Sequence, residues 1–280
     1  INKLLKKLKK SSSEEIELSI KVKDEDKHFL ISGSKMESTN EYIVVISDIS
    51  SLRKLEDLRK NLISDISHEI KTPVAVIRAG SETLHSGNIK DPKITSKFTK
   101  SILDNSERLS EMIEDLLELE KIESGGLVIK KEKLLPHSEI NKILSTIEAL
   151  LVEKKLLVEN LIKEDLFLKT DKESFRSIFS NLLNNAIKYS PEGSVISFKH
   201  YLDKKSKVIS IKDNGYGIEK KSIHRIFERF YRSSKARAHT KGTGLGLALV
   251  KQLSARIGCN ITVQSQINNG TEFFVSFKDK

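Results

Sequence analysis

Residues Asn181 to Pro191 read NLLNNAIKYSP. They close a run, 171–188, that reads as helix. Asn181 and Asn185 are four residues apart and share one helical face. A single asparagine is usually a cap or turn residue, but two in mid-helix run against propensity and argue for a purpose. Neutral oxygen ligands suit a Mg2+ ion that already carries phosphate charge. Lys188 and Tyr189 follow one turn on, offering a phosphate contact and an aromatic edge or face for a base.

Two further motifs lie downstream. DNGYGI (Asp213–Ile218) follows the strand-like SIKD. Asp213 is a strong acceptor, suited to an exocyclic amine such as adenine N6. Gly215 and Gly217 let the backbone approach a flat ring closely. A plain Asp-Asn-Gly turn is the competing reading. GTGLGLALV (Gly242–Val250) places Gly242, Gly244 and Gly246 before an apolar helix, 247–257, whose first amides can hold phosphate oxygens. The spacing is neither G-x-G-x-x-G nor a P-loop, so dinucleotide-fold and P-loop readings are poor. Between the two motifs, RIFERFYRSSKARAHTK (225–241) is basic and weak in strand signal. It reads as a lid over a nucleotide. Arg229, Arg232, Lys235 and Arg237 are its candidate phosphate contacts, and Phe227 and Phe230 anchor its near end.

Around these motifs, strand-like runs (127–135, 166–170, 195–202, 207–213, 260–266, 271–278) mix with helical ones (137–154, 171–188, 244–257). That order predicts an α/β sandwich in an α+β multidomain chain. Upstream the period changes. Leu52, Leu55, Leu62, Ile66, Ile70 and Ile77 mark one face of a long helix, roughly 52–86. SGNIKDP (86–92) breaks it, and Phe98, Ile102, Leu109, Met112, Leu116 and Leu119 stripe a second helix, 93–124. Two such helices make an antiparallel hairpin that buries little apolar surface alone. Pairing two copies into a four-helix bundle is the remedy, which predicts a homodimer. Residues 11–15 read as a loop, and 16–31 and 41–49 as strands.

The first long helix carries SDISHEIKTP, Ser64–Pro73. His68 lies opposite the Leu62/Ile66/Ile70 face, among Asn61, Ser64, Asp65 and Thr72, and is expected to face solvent. Neutral imidazole is a nucleophile near pH 7. Glu69 can hold one ring N–H and accept a proton, and Thr72 can position a water or a phosphoryl group. Pro73 leaves the Glu69 carbonyl without its helical donor, so the helix can bend beside the histidine. For a lone histidine, an ordinary exposed residue is the default reading.

Composition narrows the classes. The chain has 280 residues, 38% hydrophobic and 31% charged, enough for one large or two to three small domains. One cysteine excludes a disulfide framework, and the seven scattered histidines disfavour zinc. No apolar run spans a membrane and no signal peptide is visible. The chain opens on Ile1 and is expected to be the soluble part of something longer. The net charge of +10 suits an anionic ligand or a membrane surface, and the basic INKLLKKLKK at its start suits a membrane-adjacent or solvated linker helix. Elsewhere the lysines are dispersed and rarely interleaved with aromatics, which argues against nucleic acid.

Taken together, the motifs resemble those of the cytoplasmic transmitter of a bacterial sensor histidine kinase. SHEIKTP resembles the H box. NLLNNAIKYSP, DNGYGI, IFERFYR and GTGLGL resemble the N, G1, F and G2 boxes, in order, across about 55–280. The resemblance implies a dimerisation and phosphoacceptor hairpin at 51–124 and a Bergerat-type ATP-binding domain at 125–280. His68 would take the γ-phosphoryl of ATP, with Glu69 assisting, and Thr72 would serve dephosphorylation of the partner. Asn185 would coordinate Mg2+ and Asp213 would read adenine. Asn181, Lys188, Tyr189 and Arg232 would line the nucleotide site, and Gly242, Gly244 and Gly246 would cradle phosphates. The partner would be the receiver domain of a response regulator. An upstream sensor or membrane segment would anchor the full-length protein. Residues 16–50 resemble the last strands of a PAS domain, or form a β-rich linker after a linker at 1–15. There are two departures from the family pattern: Cys259 stands where many relatives carry glycine, and Ser233 and Ser234 where an acidic residue is common. A conformational ATPase clamp would leave His68 idle, and a scaffold would leave the ATP motifs idle.

Overall fold

The computed structural model describes residues 13–23, 25–36, 41–87, 89, 91–203, 206–233 and 242–278. The basic start of the chain, and Ser234, Lys235 and Arg237 of the expected lid, lie outside the described residues. The chain divides into two compact units, the first ending at Lys71 and the second beginning at Thr72. Among the described residues no helix is long and apolar enough to cross a membrane.

The first unit opens with β1 (Ser13–Val22), β2 (Glu25–Lys35) and β3 (Tyr42–Asp48), an antiparallel sheet in the order β1-β2-β3. The expected loop at 11–15 is therefore corrected: Ser13 already pairs with Ser34, because the long β2 has partners to offer as far as that residue. The run 16–31 is not one strand either. It turns at Lys23, whose φ of 48° reverses the chain so that Val22 pairs with Glu25. Ile16, Ile31 and Ile46 align across the three strands, and Ile31 is buried.

At the end of β3, Asp48 Oδ1 accepts the Ser50 N–H at 2.9 Å and its hydroxyl at 2.5 Å. This local turn competes with strand extension and launches α1 (Ser50–His85), which runs unbroken through Pro73. Ser50 Oγ also accepts the His28 N–H at 2.9 Å, and Arg53 pairs with Glu17 and Glu56, fixing the start of α1 on its sheet. Leu62, Ile66 and Ile70 are half-buried, but Leu52 and Leu55 are exposed. The stripe expected to pack inward is thus only partly covered within one chain.

In the second unit, Asp91 caps α2 (Pro92–Glu123), accepting the Lys93 N–H at 2.8 Å, with Pro92 in the first turn. Gly80 is buried where a Cβ would lie 3.1 Å from Ile102, so this small residue lets the two helices close up. Beyond them come β4 (Lys131–Leu134), α3 (Pro136–Thr146), α4 (Glu148–Glu153), β5 (Leu157–Asn160), β6 (Leu168–Asp171) and α5 (Lys172–Tyr189). Then follow β7 (Val195–Asp203), β8 (Ser206–Asp213), α6 (Gly246–Ile257), β9 (Asn260–Ser265) and β10 (Thr271–Lys278).

The main sheet has the order β5-β7-β8-β10-β9, with β5 parallel to β7 and the other pairs antiparallel; β4 and β6 form a separate ladder. Phe175, Phe179, Leu182 and Leu183 of α5, and Leu249 and Leu253 of α6, bury onto Phe198, Ile209, Ile211, Phe273 and Val275 of the sheet. This is the α/β sandwich expected from the sequence. Two details differ. The helix read at 137–154 breaks at Ile147, whose φ of −120° is not helical. The strand read at 127–135 shrinks to β4, four residues matched to the four of β6.

Candidate active site

Helix α5, strand β8 and the segment leading into α6 converge on one edge of the sandwich. Asp171 caps α5, accepting the Ser174 N–H at 2.8 Å. That fixes the phase that puts Asn181, Asn185, Lys188 and Tyr189 towards this edge, while Leu182, Leu183, Ala186 and Ile187 are buried in the core. Two cavities open here. A smaller one, about 310 Å³, is lined by Asn185, Tyr189, Asp213, Gly217, Arg232 and others. A larger one, about 890 Å³, is lined by Asn181, Asn185, Lys188, Arg232, Gly242, Gly244 and Gly246 and walled by acidic residues of α2. Among the described residues expected at the nucleotide, all but Gly215 and Arg229 line one or both.

Asp213, at the end of β8, is 6% exposed. Its Oδ1 accepts the N–H of Gly215 at 2.8 Å and of Thr271 at 3.2 Å. Burial nevertheless dominates and pushes its carboxyl up to about 6. With Oδ1 engaged by the backbone, Oδ2 is the oxygen that a donor in the smaller cavity would meet.

The glycines prove tight for reasons internal to the chain. A Cβ on Gly215 would strike the Tyr189 carbonyl, and one on Gly217 the Gln266 carbonyl. On Gly246 it would lie 2.6 Å from Asn181 Oδ1, on Gly242 2.6 Å from Lys188 Nζ, and on Gly244 2.9 Å from the Phe230 backbone. The close approach made at Gly215 and Gly217 is thus to neighbouring backbone. At Gly242 and Gly246 it brings the glycine segment onto the polar side chains of α5.

Burial lowers the pKa of Lys188, as does the charge of Arg232, while Glu111 and Asp115 of α2 oppose the shift. Arg232 donates to the Gly242 carbonyl at 3.2 Å. Arg229, expected on phosphate, instead pairs with Glu123 of α2. Phe230 is buried and takes a φ of 58°, its N–H donating to the Gly244 carbonyl at 2.9 Å, and Phe227 stacks edge-on against Phe273. Together these pin the near end of the expected lid.

His68, Glu69 and Thr72 lie within four residues on α1. His68 and Thr72 are exposed, as are Asn61, Ser64 and Asp65, and Glu69 is half-buried.

Several lining residues were not singled out in the sequence. Thr271 reaches Asp213 through the β8–β10 register, and Asn268 donates its N–H to the Tyr216 carbonyl at 2.9 Å. Thr243 bonds Asp115 at 2.9 Å. The threonine between two glycines, GTG, was the available signal for Thr243, whereas Asn268 sits in a turn whose sequence, INNG, looks like any other.

The family model described as "Histidine kinase-, DNA gyrase B-, and HSP90-like ATPase" matches residues 170–280. The one described as "His Kinase A (phospho-acceptor) domain" matches residues 58–125. The chain belongs to the two-component sensor histidine kinases. Residues 126–169 lie outside both matches, yet β5 pairs with β7 of the main sheet and β4 with β6. Among relatives of this histidine kinase chain, sensor histidine kinase WalK of Bacillus subtilis (strain 168) is 31% identical over 243 residues, 85% of this chain and 40% of its own length. Sensor protein kinase WalK of Staphylococcus aureus is 31% identical over 238 residues, 84% of this chain and 57% of its own. The chain therefore spans about two fifths to three fifths of these relatives. Among solved structures, the Acinetobacter baumannii histidine kinase AdeS superposes with a TM-score of 0.62 at 24% identity, covering 75% of this chain and 97% of that one. Histidine kinase ThkA in complex with response regulator protein TrrA gives 0.65 at 19% identity, covering 100% and 83%. At these identities the two structures speak for the fold.

Proposed function

We propose that the chain is an ATP-dependent protein-histidine kinase. In this reading His68 is phosphorylated by ATP held in the second unit and passes the group to an aspartate of a response-regulator receiver domain. The observation that carries it is the convergence of Asp213, Asn185, Lys188 and the glycine segment on one cavity edge, in a chain whose α1 carries His68, Glu69 and Thr72 within one turn.

A neutral ring nitrogen of His68 attacks the γ-phosphorus, the bond from phosphorus to the β,γ-bridging oxygen breaks, and ADP leaves. Glu69 takes up the proton released from the ring. Asp213 Oδ2 accepts from the adenine amine, Lys188 and Arg232 offset phosphate charge, and amides of the glycine segment hold phosphate oxygens. Asn185 lines both cavities with a neutral amide oxygen, a donor type that fits Mg2+ already carrying phosphate. When bound there, Mg2+ would supply charge neutralisation on the phosphates.

The partly covered stripe on α1, with Leu52 and Leu55 exposed, supports a homodimer whose hairpins form a four-helix bundle. Thr72, one turn beyond His68, would place the water that removes phosphate from the regulator. We assign 51–124 to the dimerisation hairpin, 125–280 to the catalytic domain and 16–50 to a partial PAS-like or β-rich linker segment. The chain would act on the cytoplasmic side of a membrane that anchors the longer protein.

The test is incubation with γ-labelled ATP and Mg2+, comparing wild type with His68→Gln. The kinase reading expects acid-labile protein-bound label in the wild type alone, with ATP binding kept in the variant. ATP turnover that is unaffected by the substitution, with no labelled protein, would favour the clamp.

A further inference from the structure

Lys154 is not among the residues the sequence offers for nucleotide binding, yet its side chain closes the end of α5. It follows α4 directly, and its Nζ donates to the Ile187 carbonyl at 2.5 Å and to the Ser190 carbonyl at 3.1 Å. The last four carbonyls of a helix have no intrahelical donor. Here that end is inside the protein: Ser190 is 2% exposed, and its hydroxyl is buried without a hydrogen-bond partner among the described residues. A buried carbonyl left unpaired is costly, and an ammonium group also suits the negative pole of the helix. The backbone reinforces the junction, since the Gly193 N–H donates to the Lys154 carbonyl at 3.4 Å and the Leu157 N–H to the Ser194 carbonyl at 3.0 Å.

Between the two carbonyls that Lys154 holds lie Lys188 and Tyr189. The Tyr189 carbonyl accepts the Tyr216 N–H at 3.2 Å and is the atom that a Cβ on Gly215 would strike. One helix end is thus gripped from one side by Lys154 and from the other by the Asp213–Ile218 loop. A shift of this end would move Tyr189, Tyr216 and the mouth around Asp213 together.

We infer that Lys154 is a positioning residue for nucleotide binding: its ammonium fixes the end of α5 so that Tyr189 carries the Asp213–Ile218 loop in place against the base. The inference rests on the nucleotide reading of the site. It differs from a phosphate contact, which Lys154 would make if its place on the wall of the larger cavity were its role. It also differs from a cap that serves stability alone.

Affinities for ADP and for adenosine, measured alongside Tm, separate the three. Lys154→Met is expected to weaken both ligands by the same factor, about tenfold, and Lys154→Arg, which can still donate to both carbonyls, to restore most of it. Lys188→Met should weaken ADP and leave adenosine unchanged. Loss of ADP affinity alone in Lys154→Met would make Lys154 a phosphate ligand and overturn the inference. A lower Tm with both affinities at the wild-type value would overturn it too. Should Lys154→Met fail to fold, Lys154→Gln, which can donate to one carbonyl, carries the same comparison. A wild-type chain that binds no ADP would instead sink the nucleotide reading itself, which separates the two failures.

Discussion

Thr243 Oγ1 donates a 2.9 Å hydrogen bond to Asp115 Oδ2, joining residues 128 apart in the chain. Thr243 belongs to the glycine segment and Asp115 to α2, so this bond holds the expected phosphate cradle against the second hairpin helix. Thr243 Oγ1 also accepts the Leu245 N–H at 3.2 Å. Burial pushes the Asp115 carboxyl up, Thr243 opposes that, and Glu111, Glu118 and Glu114 add to the rise. Thr243→Val leaves the carboxylate desolvated and without this donor. It should lower stability by about 1–3 kcal/mol, read by chemical denaturation. The sign in pH follows from the raised pKa. The contribution of Asp115 to stability is full below its unfolded value of 3.8 and is lost as pH rises through the folded value. The deficit of the valine variant should therefore be large at pH 8 and shrink in acid.

Asp115→Asn keeps an acceptor for Thr243 and removes one negative charge from the wall of the larger cavity. A triphosphate entering that cavity meets less repulsion. ATP should bind a few-fold more tightly at low ionic strength, about 1 kcal/mol, and the gain should fade with added salt. Calorimetric titration at two salt concentrations checks this.

Asp213 gives a second pH dependence. Its carboxyl, pushed up to about 6 by burial, is charged at pH 8 and neutral at pH 5. An adenine amine donating to the carboxylate should lose affinity as pH falls through 6. Folding has the opposite preference: the raised pKa means stability is highest below 3.8 and declines as pH rises through about 6. Asp213→Asn keeps an acceptor for the Gly215 and Thr271 amides. It should hold or raise Tm at pH 8 while nucleotide binding is lost, a divergence that thermal melts with and without ADP will show.

Two glycines should separate fold from site. An alanine at Gly242 meets the movable end of Lys188, whereas one at Gly215 meets the backbone carbonyl of Tyr189. Gly242→Ala is expected to keep Tm within a few degrees and weaken ATP. Gly215→Ala should lower stability by about 2 kcal/mol or more as well as abolish binding. Equal losses of Tm in both would contradict the geometry.

Much of this was legible in the sequence because it is periodic. The Asn181/Asn185 pair, the two long stripes and the alternation in 271–278 each repeat at the period of their element, and the structure forms helix, hairpin and strand there. What escaped was set by partners distant in sequence. The turn at Lys23 shows no glycine or proline, so the run 16–31 looks continuous until β2 folds back on β1. The four residues of β5 lie beside β7 through a parallel pairing that leaves no local mark. Lys154 binds backbone carbonyls, which every residue carries, so nothing in the letters near 187–190 points to it. Arg229 looked like a phosphate contact for its charge, and Glu123, 106 residues away, takes it instead.

The most direct measurement is the position and stability of the transferred phosphate. Wild-type protein incubated with γ-labelled ATP and Mg2+ should carry label on the imidazole of His68, lost in acid and kept in alkali, and His68→Gln should carry none. Label on a different side chain, or label that survives acid and persists in His68→Gln, would contradict the account.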